Sequence, residues 1–227
     1  MNVLNYAGGR IPRMICGEGT AEALSEHAGG SRRVLIVTDS GYAALGVPER
    51  LRALLRGAGI EAQIFSDIAY EPTDRCMDAA IAEMRKGYDT VAGIGGGSAL
   101  DVAKAAALAG GAYQSLAELS ENIQSAQRTA GLIMIPTTCG TGSEVTPNAL
   151  YLDGENNKAA LISREMIADL VLLDGVLLAT LPPRVTAYTG MDALAHCMES
   201  FTSNNAGPVS DAFAAEGIRL IAENLPA

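Results

Sequence analysis

The sequence predicts an α/β fold, a doubly wound and mostly parallel sheet followed by the start of an all-helical region. Three observations predict it. Short apolar runs rich in β-branched residues alternate with stretches of helical period, a glycine-rich turn joins one such run to a helix, and the strand signal stops after Pro182 and Pro183. Alternation of this kind is what parallel strands joined by helical crossovers require, with helices covering both faces of the sheet.

Taken in order, residues 34–38 (VLIVT), 60–65, 90–94, 132–135 and 170–173 read as buried strands, and residues 14–16 add an edge strand. Residues 48–57, 74–86 and 98–108 read as the intervening helices. The first of these opens on Pro48 and closes on Gly57, the residue types that suit a helix start and stop. A β-α-β-α-β-α order places ligands at the carboxyl ends of the strands. Beyond Leu181 come two long helical patterns, residues 184–203 and 208–224, the second with Val209, Phe213, Leu220 and Ile221 near one face. The chain is therefore expected to divide into an α/β domain at residues 1–181 and the first helices of a helical domain at 182–227. Two helices leave an apolar stripe without a partner, so this second domain is expected to be cut short.

With 48% apolar and 19% charged residues in 227, the chain can bury one large core. A net charge of −10 without a local basic cluster repels a phosphate backbone, so no nucleic-acid partner is expected. No segment reaches the roughly 18 to 20 apolar residues of a membrane span, and residues 1–15 lack a leader pattern. Cys16, Cys76, Cys139 and Cys197 are scattered without C-x-x-C spacing, which suggests neither a disulfide framework nor a zinc knuckle. A cytoplasmic protein without a membrane partner is expected, and a homo-oligomer is the expected assembly.

The turn at Gly95, Gly96, Gly97 and Ser98 lies between a strand and a helix. Backbone N–H groups at a helix start bind anions, and glycines let the backbone approach a pyrophosphate. Ser98 is read as the N-cap, Asp101 as its capping-box partner, and Lys104 as a solvated helix residue. Asp39 ends the 34–38 run, where a carboxylate either binds a ribose hydroxyl and repels an additional 2′-phosphate or simply caps the next turn. A second loop, Pro136 to Glu144, crowds Thr137, Thr138, Thr141 and Ser143 with two glycines and is read as cofactor-facing. Cys139 within it is either a reactive thiol or an inert small residue. Lys158 is either a cofactor contact or a solvated lysine. Asp192 and His196 stand at i and i+4 on one helical face, a spacing that suits two ligands of one Fe(II) or Zn(II) ion and equally a plain surface pair.

GGGSALDVAK, PTTCGTGSEVT and GMDALAHCMES, in this order, resemble the iron-containing alcohol dehydrogenase family over essentially all 227 residues. The resemblance implies a Rossmann-like NAD-binding domain in which Gly95, Gly96, Gly97 and Ser98 hold the pyrophosphate and Asp39 meets the adenosine ribose. It implies that Thr137, Thr138, Thr141 and Ser143 line the rest of the cofactor cleft, with Asp101 and Lys158 as further members. Asp192 and His196 become the first two ligands of a divalent metal, Fe or Zn, that polarises the oxygen of an alcohol or aldehyde during hydride transfer. Family members add two histidines from a longer helical domain, so the site is expected to be incomplete in this chain. Two other readings stand beside this one: a non-catalytic nucleotide-binding or interaction protein, and a lyase of the dehydroquinate-synthase type.

Overall fold

A computed structural model describes residues 10–226; most of the segment read for a leader therefore lies outside the described residues. The strands are β1 (Arg13–Cys16), β2 (Arg33–Val37), β3 (Glu61–Phe65), β4 (Thr90–Gly95), β5 (Gly131–Pro136), β6 (Asn148–Leu152), β7 (Lys158–Ile162) and β8 (Leu170–Leu173). The helices are α1 (Leu24–His27), α2 (Ser40–Ala43), α3 (Val47–Gly57), α4 (Asp74–Met84), α5 (Gly97–Ala109), α6 (Leu116–Glu121), α7 (Gly175–Leu178), α8 (Pro183–Thr202) and α9 (Pro208–Asn224).

Six strands form one sheet in the order β1-β8-β5-β4-β2-β3, with parallel pairing throughout. Side chains alternate across it, as the pleat dictates. Leu35, Val37, Val91, Leu132, Met134 and Val171 pack on one face beneath α4, α5 and α6. Val34, Ile36, Ala92, Ile94, Ile133, Ile135 and Leu172 pack on the other, against Leu24 of α1 and Leu51 and Leu55 of α3. Burial on both faces explains why each strand reads as a continuous apolar run.

From β2 the chain steps outward to β3, returns to β4 on β2's other side, and then moves away through β5 to β8. The switch point thus lies between β2 and β4, and a crevice opens at their carboxyl ends. Thr38 and Asp39 leave one strand there, and Gly95 and Gly96 leave the other.

Besides the short helices α1, α2, α6 and α7, two features near the strand ends depart from the sequence expectation. Strands β6 and β7 form a separate antiparallel hairpin, paired from Asn148 with Ile162 to Leu152 with Lys158. Its strands, NALYL and KAALI, bury only Ala149 and Leu161 and carry a single β-branched residue, Ile162, so they give no strand signal. The start of α5 is the second departure. Gly96, not Ser98, occupies the N-cap, and no side chain caps the first turn. Ser98 Oγ instead donates to the Tyr70 carbonyl at 2.8 Å.

Helices α8 and α9 pack chiefly on each other. Leu225 fills the space above Gly190, and Cys197 Sγ lies 2.6 Å from where a Cβ on Gly217 would stand, so a side chain at either glycine would displace Leu225 or Cys197 from the contact between the helices. The stripe read on α9 is largely open: Val209, Phe213 and Leu220 are exposed and Ile221 is half-buried. Among the described residues, no helix is long and apolar enough to cross a membrane.

Candidate functional site

A cleft of about 910 Å³ opens beside the switch point. Its floor is the start of α5, one wall is the loop after β5, a second is the β6–β7 hairpin, and α8 closes the far side. Of the residues picked out in the sequence, Gly97, Ser98, Asp101, Thr141, Ser143, Lys158, Asp192 and His196 line it. Asp39, Gly95, Gly96, Thr137 and Thr138 are not part of this lining.

These five nevertheless form a connected layer at the strand ends. Gly95 has φ +146, a conformation L side chains rarely adopt. A Cβ there would also stand 2.8 Å from Ala99 Cβ and 3.1 Å from Asp39 Oδ2. Asp39 is thereby brought against the glycine turn, while its other carboxylate oxygen caps α2 through the Tyr42 N–H at 2.8 Å. Thr137 is buried and its N–H bonds the Gly95 carbonyl at 3.0 Å, and Thr138 packs on Gly96.

Gly97 lets α5 approach the opposite loop closely: a Cβ would lie 2.8 Å from Thr141 Cγ2 and 2.9 Å from its hydroxyl. The N–H groups of the first turn of α5 have no intrahelical acceptor and no side-chain cap, and they carry the positive end of the helix dipole. A floor of this kind accepts an anion held against backbone.

The expected capping box between Asp101 and Ser98 is absent. The Asp101 carboxylate accepts from Ser143 Oγ at 2.6 Å and from the Leu150 N–H at 3.0 Å. Lys104, read as solvated, is 1% exposed and pairs with Asp101 at 2.9 Å. In both cases the side chain leaves the helix surface for the polar backbone of the neighbouring loop, a long-range partner that i,i+3 spacing cannot reveal. Burial pulls the Lys104 pKa down, and the adjacent carboxylate opposes that shift. Burial likewise pushes the Glu144 carboxyl up. At Cys139, partial burial and then the Glu144 charge push the thiol up, which argues against an activated thiolate.

Lys158 begins β7, is largely exposed, and stands 3.8 Å from Glu71 across the cleft mouth. Glu71 and the hairpin residues Asn148, Leu150 and Tyr151 also line the cleft and were missed in the sequence, because the hairpin that carries most of them was missed. The Asp-Gly pair at 153–154 was the available turn signal.

On α8, Asp192 Oδ2 and His196 Nδ1 are 3.9 Å apart and both side chains are about half exposed. Gly140 lets the loop approach this helix closely; a Cβ on it would meet the Thr189 carbonyl at 2.9 Å and Asp192 Oδ2 at 3.1 Å. Among the described residues, no three His, Cys, Asp or Glu side chains are grouped to hold a metal ion. Two donors meet only part of the requirement of an Fe or Zn site, which needs three or four protein ligands. They fit a fragment of a ligand set.

The sequence matches the profile of the iron-containing alcohol dehydrogenases over residues 12–175, and that of the family's C-terminal region over residues 186–227. It is 38% identical over 200 residues to long-chain-alcohol dehydrogenase 1 of Geobacillus thermodenitrificans, covering 86% of this chain and 50% of that protein. It is also 38% identical over 208 residues to sulfoacetaldehyde reductase of Bilophila wadsworthia, covering 85% and 50%. The fold superimposes with a TM-score of 0.88 on the crystal structure of sulfoacetaldehyde reductase from Bifidobacterium kashiwanohense in complex with NAD+, at 31% identity, covering 96% of this chain and 59% of that one. The chain spans about half the length of the curated relatives it matches.

Proposed function

The chain belongs to the iron-containing alcohol dehydrogenase family, and from that premise we propose that its cleft seats NAD for hydride exchange with a small alcohol or aldehyde. The observation that carries this reading is the uncapped start of α5, laid open to the cleft by glycines that leave no room for a Cβ. Gly95, Gly96, Gly97 and Ser98 hold the pyrophosphate through backbone N–H groups. Asp39, beside Gly95, accepts from the adenosine ribose and disfavours a 2′-phosphate by charge. Thr137 and Thr138 support the turn from β5, Thr141 and Ser143 form the opposite wall, and Lys158 supplies a cation at the mouth. Asp101 contributes by holding that wall.

Residues 1–181 act in this reading as the dinucleotide-binding domain, and residues 182–227 as the helical part that brings Asp192 and His196 to the cleft. When bound there, Fe or Zn supplies Lewis-acid polarisation of the substrate oxygen; these two residues give it two donors. The names of the relatives, an alcohol dehydrogenase and an aldehyde reductase, support the substrate class. A cytoplasmic location and a homo-oligomeric assembly belong to the same proposal. The first is supported by four free cysteines, and the second by exposed Met198, Phe201 and Phe213 on α8 and α9.

The two-donor set favours a second reading, in which this chain alone binds nucleotide without turnover. Titration with NADH and NADPH, followed by an assay for alcohol-dependent NADH formation with added Fe(II) or Zn(II), tests both. Saturable binding that prefers NADH is expected. Folded protein that binds neither nucleotide overturns the proposal, and binding without NADH formation selects the second reading.

A further inference from the structure

The cleft has walls from three separate segments, and their attachment to one another is unusual. The loop after β5 offers no large buried apolar side chain, since Val145 is 39% exposed, and the hairpin buries only Ala149 and Leu161. Apolar packing therefore holds the hairpin through these two residues, with Tyr151 packed beside them, and leaves the loop after β5 without an apolar anchor. A buried ion pair on α5 reaches both the loop and the hairpin. Lys104 Nζ donates to the Ser143 carbonyl at 2.9 Å, to Thr146 Oγ1 at 3.4 Å and to the Asn148 carbonyl. Asp101 accepts from Ser143 Oγ and from the Leu150 N–H. All four of these partner residues line the cleft.

We infer that Lys104 and Asp101 are positioning residues that set the width of the cleft, fixing its loop and hairpin walls to the helix whose start forms its floor. Lys104, with its ammonium buried in the wall's own backbone, acts through Ser143, Thr146 and Asn148. A buried ion pair is a poor source of net stability and a good source of unique geometry, because its partners must be met at defined places. The inference rests on the reading of the cleft as a dinucleotide seat, and the test separates the two.

The variants are Lys104→Met, which leaves Asp101 unpaired, and the double variant Lys104→Met with Asp101→Asn, which neutralises both groups and keeps a hydrogen-bond acceptor. Each is studied well below its own unfolding temperature by amide hydrogen exchange and by NADH titration. In the double variant, amides of residues 143–150 are expected to exchange about tenfold faster or more while β4 and α4 keep their protection. NADH binding is expected to weaken by about tenfold, the effect of a binding wall left loose. Unchanged protection at 143–150 overturns the inference, as does lost protection with undiminished NADH affinity. Failure of both variants to fold also overturns it, because the pair would then support the whole domain. If the unaltered chain binds no NADH, faster exchange at 143–150 still upholds the wall attachment, and it is the dinucleotide reading that falls.

Discussion

Helix α5 buries eleven of its 13 residues, Asp101 and Lys104 among them, whereas α8, with 20 residues, buries only Gly190. Both helices border the same cleft. The first is enclosed by the sheet, α4 and the hairpin, so the groups it presents are held before any ligand arrives. The second is held by α9 and by the contact at Gly140, and it presents Asp192 and His196 from half-exposed positions. The α5 side of the cleft, the proposed nucleotide seat, is thus built into the core, and the side that carries Asp192 and His196, the proposed metal donors, is borne on a surface pair of helices. A fault in α5 should therefore reach both stability and binding, and a fault in α8 or α9 should stay local.

The sharpest break of this contrast is Gly97→Val. A side chain there meets Thr141 and fills the approach to the α5 amides, so NADH affinity should fall by about a hundredfold or more. The denaturant midpoint should fall as well, while the circular dichroism of the folded protein keeps its shape. Next, Leu35→Ala, in the sheet core, should cost about 2 to 5 kcal/mol in denaturant unfolding. Phe213→Ala on α9, 73% exposed, should stay within about 0.5 kcal/mol. Equal losses at the two sites would show that the helical pair is as firmly packed as the sheet. Gly217→Val should displace the Cys197 side chain from the α8–α9 contact, seen as faster thiol labelling of that residue by peptide mass spectrometry. Labelling of Cys139 should not change.

The smallest effect concerns pH. Burial pushes the Asp169 carboxyl up, but hydrogen bonds from Arg128 and the Leu132 N–H, with further help from Arg10, outweigh it and hold the pKa below the ordinary range. Because the folded-state pKa is the lower one, this contribution to stability is present above the unfolded-state pKa and is lost as pH falls through the folded one. Unfolding profiles of the unaltered chain and Asp169→Asn should therefore begin to converge as pH falls below about 4 and meet only below the folded-state pKa. A difference that does not shrink as pH falls below about 4 would contradict the assignment.

The sheet was legible because strands covered on both faces must be apolar throughout, and the long helices because their apolar period is regular. The hairpin was not, since alanine and leucine carry no strand preference and its contacts with Asp101 and Lys104 of α5 are long-range. The short helices α1, α2, α6 and α7 are too brief for a period to show. At the site, the glycine turn was legible from its place between a strand and a helix. Lys104 was not: three residues after an aspartate, it looks like a surface pair, and only the loop folding over it removes it from water. For the same reason Ser98 looked like a cap when the turn's own glycine fills that place.

The most direct measurement is amide hydrogen exchange at residues 97–99, the first turn of α5, with and without saturating NADH. Slower exchange at these amides on NADH addition is predicted. NADH binding that leaves their exchange unchanged would contradict the claim that this helix start is the pyrophosphate seat.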